Sequence, residues 1–341
     1  ISLRDDNGDV ILARQVSTKP DKIHAFFDGL SRDRTRRDES FVAVLEVWGF
    51  NDWLIEMLGN YRCEKVILIQ PQEHKKRKTD RRDAAALSEL LWVNRTRLLQ
   101  GKPVRGLRQV DIPTKADRED RRLTTFREQA GQTRTRIILS IKHLLRRHNL
   151  QWEMPTKVFP TKKAIAWLKT LVLPKMDRLE LDHLLEDLVL IEKRLSKLQE
   201  VIVERCDARE DAKLLRSMPG VGHFTATALA CRVADVRRFP RVSSLANYWG
   251  LTPGCRNSGE STQRLGSMTK AGSVMACWLL AQVTYQALRK DARLREWYKQ
   301  IKRRRGACIA RVAVMRKLAT IIWQMLSRGQ IYSECRQIST A

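Results

Sequence analysis

The chain has 341 residues, enough for about two or three domains and a substantial buried core, which excludes a single small module. Its 65 lysines and arginines stand against 38 aspartates and glutamates, a formal charge of +27. Such a field selects polyanions, nucleic acid first; anionic lipid or a merely solvated basic surface are the alternatives.

Apolar runs such as LLRSM and CWLLAQV are far shorter than the roughly 20 residues that a bilayer crossing takes, and no signal-peptide pattern opens the chain. A cytoplasmic, soluble protein is expected. The seven cysteines are scattered without a C-x-x-C pair, which fits a reducing compartment and not a zinc site. The six histidines show no ligand spacing either.

In chain order, ISLRD and GDVILARQV read as two strands around a D-D-N-G turn. FVAVLEV and EKVILIQP read as short buried strands, and NDWLIEMLGNYR between them has helical periodicity. This is an α/β pattern whose β-α-β unit should give a parallel pair. KRKTDRRDAAALSELL follows, with Asp80 and Asp83 three apart at the start of an Ala-rich helix, and so on one face near its N-terminus. Acidic residues in a first turn are favoured by the helix dipole alone. A carboxylate at the end of a buried strand, Glu46, is harder to explain that way. Together the three carboxylates suit a Mg²⁺ site for phosphoryl transfer on nucleic acid.

From about residue 113 the pattern turns helical. Leu181, Leu184, Leu188, Ile191, Leu195, Leu198 and Ile202 occupy successive a and d positions of a coiled coil. A weaker seam runs through Leu123, Phe126, Ala130, Ile137 and Leu144, and the pairing can be within the chain or between subunits. Pro155, Pro160 and Pro174 argue against one continuous rod. After residue 208, LLRSMPGVGHFTATALA reads as a helix-hairpin-helix element. Gly220 and Gly222 allow a tight turn, and the next helix offers free amides to a phosphate. An ordinary helix connection is the competing reading.

The stretch PGCRNSGESTQRLGSMTKAG, residues 253 to 272, is nearly free of large apolar side chains. Ser258, beside Gly259, is a candidate nucleophile with Arg256, Arg264 and Lys270 at hand for a phosphate; Ser261, Thr262 and Ser267 are alternatives, and a surface turn is the plain reading. No His or Asp adjoins Ser258, so no hydrolase triad is visible locally. Residues 299 to 326 read as a helix with Ile309, Val312, Val314, Ile321 and Leu326 inward and with Arg303, Arg304 and Arg305 facing phosphates.

These pieces together resemble the DEDD-type transposases of insertion-sequence family 110, which act as bridge-RNA-guided DNA recombinases. The resemblance rests on Glu46 with Gly49, K-T-D-R-R-D-A at 78 to 84, M-P-G-V-G at 218 to 222, and R-F-P…L-A-N-Y-W-G-L-T-P…S-G…G-S-M-T-K-A-G from Arg238 to Gly272. It implies a RuvC-like (RNase H-like) α/β domain over 1–150, a coiled-coil region over 151–207 used in assembly, and a mainly α transposase domain over 208–341. It implies Mg²⁺ on the acidic set and a phosphoserine link made by Ser258. The implied partners are donor and target DNA, a structured guide RNA and further copies of the chain, from dimer to tetramer, in a prokaryotic nucleoid. In that family the acidic set is Asp, Glu, Asp, Asp, and Glu46, Asp80 and Asp83 match the last three. The first Asp is expected upstream of Ile1, because ISLRDDNGDVI resembles the end of the first strand, the turn and the second strand; Asp5 and Asp6 are poor substitutes. The rival readings are a metal-dependent nuclease or junction resolvase in which Ser258 is structural, and a non-catalytic nucleic-acid-binding relic.

Overall fold

The computed structural model describes residues 1–35, 40–49, 51–70, 80–102, 104, 107–255, 265–269 and 272–338. The chain divides into two compact units, Ile1–Ile112 and Pro113–Ala341, the first mixed α/β and the second mainly helical. No helix among the described residues is long and apolar enough to cross a membrane.

The first unit opens with an antiparallel hairpin, β1 (Ser2–Arg4) and β2 (Val10–Ala13). Asp5 builds its turn: one carboxylate oxygen accepts from the amides of Asn7 at 3.0 Å and Asp9 at 2.8 Å. Helix α1 (Pro20–Thr35), which the strand-oriented reading of this region passed over, precedes β3 (Phe41–Glu46). Then come α2 (Asp52–Asn60), β4 (Cys63–Ile69), α3 (Asp80–Val93), α4 (Arg95–Leu99) and β5 (Gln109–Val110). Strands β3 and β4 are parallel, as expected of a β-α-β unit, and β5 adds antiparallel to β4.

The alternation of side chains along β3 explains why its sequence is a continuous apolar run. Phe41, Ala43 and Leu45 pack with Ile23, Phe27, Met57 and Leu58 of α1 and α2 on one face. Val42 and Val44 pack with Ile67, Ile69, Leu87 and Leu91 on the other, under α3. Both faces are covered, so both parities are apolar. The two strands differ in depth, however. Ile67, Leu68 and Ile69 of β4 are buried, whereas β3 is half-buried throughout, contrary to the expectation of two buried strands. The cause is position: in the described sheet β4 lies between β3 and β5, and β3 is at the edge.

The second unit begins with α5 (Lys115–Arg147), capped by Thr114, whose hydroxyl accepts from the Asp117 amide at 3.1 Å. After α6 (Lys162–Thr170), α7 (Lys175–Asp207) returns antiparallel along α5. Ile137, Ile141, Leu144 and Leu145 meet Leu181, Leu185, Leu188 and Ile191 in one core, so the two seams pair within the chain. Phe126 does not join them; it is 48% exposed.

The remaining elements are α8 (Glu210–Arg216), α9 (His223–Val233), a 3₁₀ turn at Val236–Arg238, α10 (Val242–Tyr248), β6 (Pro253–Cys255), β7 (Leu265–Met268), α11 (Val274–Lys290), α12 (Ala292–Arg305), α13 (Ala307–Arg328) and α14 (Tyr332–Ile338). They enclose a larger core that includes Leu229, Trp249, Leu280, Leu318 and Ile322. The single helix expected over 299 to 326 is two helices. Gly306, at φ 83° and ψ 165°, ends α12 and starts α13. Val314 and Ile321 face the core as expected and Val312 and Leu326 are half-buried, but Ile309, one turn past the break, is 56% exposed.

Candidate active site and nucleic-acid interface

Glu46 is the last residue of β3 and sits at the carboxyl edge of the parallel pair. The turn after it is held by its own side chains and by β4. The Val47 amide donates to the Ile69 carbonyl at 2.8 Å. Asn51 donates from Nδ2 to the Glu46 carbonyl at 3.0 Å and accepts the Trp48 amide on Oδ1 at 2.6 Å. The backbone carrying Glu46 is therefore fixed on both sides.

Asp80 and Asp83 occupy the first turn of α3, Asp80 exposed and Asp83 half-buried. Lys65, near the start of β4, donates to the carbonyls of Leu98 and Leu99, both at 3.0 Å, which holds α4 at the amino end of the strands. Helix α3, which leads into α4, thus runs back across the sheet, and its first turn lies toward the carboxyl edge where Glu46 ends β3. The far half of α3 is anchored to the hairpin: Ser88 bonds Ser2 at 2.9 Å and accepts from Arg4 at 3.2 Å. The donor set is right for a hard divalent cation. Among the described residues, though, no three His, Cys, Asp or Glu side chains are gathered closely enough to hold one, so the three carboxylates share an edge without forming a closed site. Asp5 and Asp6 stay with the hairpin turn, Asp5 through its carboxylate and Asp6 through a carbonyl that accepts from Trp92 Nε1 at 3.3 Å.

In the second unit the M-P-G-V-G stretch is a helix, a tight turn and a helix, as expected. Gly220 has φ +85°, and a Cβ there would lie 2.3 Å from Cβ of Gln286, so this position admits only glycine. Gly222 is different. It is the exposed N-cap of α9, with extended backbone and open space around it, and no side chain caps the first amides of α9. Beside them the Arg127 guanidinium stacks 4.5 Å over the Phe224 ring, and burial lowers its pKa.

Ser258, Arg256, Arg264 and Lys270 lie outside the described residues, as do Ser261 and Thr262; Ser267 is exposed on β7. The flanks are well built. Strands β6 and β7 pair antiparallel, Pro253 opposite Met268 and Cys255 opposite Leu265. Trp249 is fully buried, its carbonyl accepts from the Cys277 thiol at 2.9 Å, and a Cβ on Gly272 would come within 2.1 Å of its carbonyl carbon. The run from W-G-L-T-P to K-A-G is thus clamped at both ends. Arg303, Arg304 and Arg305 are exposed in the last turn of α12, where cations also suit the helix dipole.

Comparison with known proteins decides what this arrangement belongs to. Residues 212–299 match the family model described as Transposase IS116/IS110/IS902 family. The transposase for insertion sequence element IS1111A of Coxiella burnetii is 31% identical over 294 residues, covering 83% of this chain and 77% of that protein. A probable family 20 transposase of Pseudomonas aeruginosa is 33% identical over 159 residues, 45% of this chain and 46% of that one.

The chain belongs to the IS116/IS110/IS902 transposase family.

In this transposase the matched segment runs from α8 into α12 and holds the helix-hairpin-helix element and the clamped stretch. Sequence reasoning missed what supports them. Arg209 donates to Asp117 at 2.8 Å, to Asp120 at 2.9 Å and to Asp211 at 2.7 Å, and those carboxylates raise its pKa despite burial. Arg232 donates to Thr124 at 3.0 Å and Thr125 at 3.2 Å, and Arg121 to the Cys231 carbonyl at 2.8 Å. These bonds fasten α9 to α5. In sequence, D-R-E-D-R-R reads as a solvated charge run, and only the spacing of Asp117 and Asp120 on one helical face hinted otherwise. Asn51 was missed as well, since an asparagine at the head of a helical segment, two residues after Gly49, reads simply as a turn or cap residue.

Proposed function

We propose that the chain cleaves and rejoins DNA strands to move an insertion sequence, with a guide RNA pairing to donor and target DNA. One relationship supports this most: Glu46 closes β3 at the carboxyl edge of a parallel pair, and Asp80 and Asp83 open the helix that returns to that edge. Ligands of open α/β sheets gather there. The first unit is read as RuvC-like on the same grounds. Glu46, Asp80 and Asp83 are the residues that would hold Mg²⁺, and the ion would neutralise charge on the scissile phosphate.

Ser258 is the nucleophile in this reading. Its Oγ attacks phosphorus, the Oγ–P bond forms as the bond to the leaving sugar oxygen breaks, and the hydroxyl proton ends on that oxygen by way of solvent. The phosphoserine ester conserves the bond, so a second strand's hydroxyl can attack it, release the serine and rejoin DNA. Arg256, Arg264, Lys270, the α9 amides beside Gly220 and Gly222, and Arg303 to Arg305 grip the phosphate backbone. Two to four copies assemble around the strands.

The test is a trapping experiment with end-labelled donor DNA and Mg²⁺, read on a denaturing gel. The wild-type chain should give a protein–DNA adduct and Ser258→Ala none. An adduct that persists in Ser258→Ala overturns the serine step. Cleavage without any adduct makes the chain a metal-dependent nuclease instead.

A further inference from the structure

Outside both sites already described, α10 and α13 border an open cleft of about 550 Å³, a volume within the usual range of small-ligand sites. Pro240, Arg241 and Ser243 line one side and Arg316, Thr320 and Trp323 the other. Arg241, Ser243 and Arg316 are exposed, and among the described residues neither arginine has an ion-pair partner. None of the described lining residues is acidic. The Thr320 hydroxyl donates to the Arg316 carbonyl at 3.1 Å, so the cleft offers two guanidinium forks, the Ser243 hydroxyl and an aromatic wall to an anionic ligand.

Its walls are rigid. Trp323 is half-buried, and its Nε1 donates to the Phe239 carbonyl at 2.9 Å, which fixes the indole. Arg238 lies 4.5 Å from both the Phe239 and Tyr248 rings and donates to the carbonyls of Val233 at 3.1 Å and Arg232 at 3.2 Å. That sandwich pins the segment carrying Pro240 and Arg241 to α9 and α10. A preformed site loses little freedom on binding.

We propose that this cleft holds one unpaired nucleotide of a single-stranded nucleic acid, its phosphate between Arg241 and Arg316 and its base against Trp323 and Pro240. A duplex keeps its bases stacked inside a convex surface and cannot place one in a concavity, whereas a single strand can, and an aromatic wall accepts any base face. The inference rests on the reading that the chain handles nucleic acid, and it adds a strand-separating contact that the acidic edge and the serine stretch do not require.

Fluorescence anisotropy tests it, with labelled oligodeoxythymidine, oligouridine and a DNA duplex of equal length, titrated at several salt concentrations. The Arg241→Gln/Arg316→Gln variant should bind single strands about 30-fold more weakly, with a salt slope shallower by about 1 to 1.5, and bind duplex within about 3-fold of wild type. The strand type that loses affinity identifies the occupant. Arg194→Gln/Lys197→Gln, which removes two exposed charges from α7, is the control for general electrostatics. If the cleft variant matches that control, or loses duplex and single strand equally, the cleft is not a nucleotide site. If the wild-type chain binds none of the three, the nucleic-acid reading falls and this inference with it. Thermal melts by circular dichroism confirm folding; should the double variant not fold, Ser243→Glu, which sets a carboxylate at the exposed mouth, must give the same selective loss.

Discussion

Arg205 donates from Nε to Asp120 at 2.7 Å, and Asp120 has no accessible surface. Its other oxygen accepts from Arg209 at 2.9 Å, so one buried carboxylate joins the end of α7 to the start of α5 and to the approach to α8. Removing one partner of such a set leaves buried charge unbalanced. Asp120→Ala should destabilise the second unit by about 3 kcal/mol, the low end for a buried pair because Arg205 is partly exposed and Arg209 keeps Asp117 and Asp211. Urea denaturation followed by circular dichroism measures it.

The two glycines of the helix-hairpin-helix element should separate. Gly220→Ala forces a side chain at φ +85° into Gln286 and should cost about 2 kcal/mol or more. Gly222→Ala, at an extended and open position, should cost less than about 1 kcal/mol. Melting temperatures of the two variants check the order, and equal losses would mean that the turn is not the constrained point.

Cys231 supplies a pH signature. Burial pushes its thiol up to about 11, from an ordinary value near 9. Below pH 9 the thiol is neutral folded or unfolded and has no effect. Between about 9 and 11 the unfolded chain ionises first, so stability falls as pH rises through that window. A Cys231→Ala variant should show a shallower alkaline loss than the wild type. In the native protein near neutral pH, a thiol reagent should label exposed Cys308 and spare Cys231, as mass spectrometry would show.

At the acidic edge, Asn51→Ala removes both bonds that hold the turn after Glu46. On the proposed Mg²⁺ role of Glu46, strand cleavage should slow by about 10- to 100-fold, the usual effect of losing a contact that supports a metal ligand. Glu46→Gln should slow it further, and extra Mg²⁺ should partly restore Asn51→Ala but not Glu46→Gln. Single-turnover cleavage at graded Mg²⁺ reads both.

Much of this is legible in the sequence. The β-α-β unit followed from FVAVLEV, NDWLIEMLGNYR and EKVILIQP, because continuous apolar runs of strand length flanking a 3.6-residue period leave few alternatives. The α7 seam followed from its heptads, and the turn at Gly220 from M-P-G-V-G. Less was legible where long-range contacts decide. Heptads cannot say which helix they meet, so the partnership of α7 with α5 appeared only with the fold. The break at Gly306 was hidden because the residues on both sides favour helix. Arg241 and Arg316 are 75 positions apart in sequence, and nothing local marks them as opposite walls of one cleft.

Helix α5 has 33 residues and so is about 50 Å long. Its early turns are bonded to Arg205, Arg209 and Arg232, and its last turns are seated among α6 and α7. Mechanically it is a strut, welded at one end and packed at the other. A fragment cut at 113–207 would keep the apolar seam but lose Arg209 and Arg232, turning two buried carboxylate anchors toward water. The paired helices are a limb of the C-terminal body rather than a cassette that can be moved to another protein.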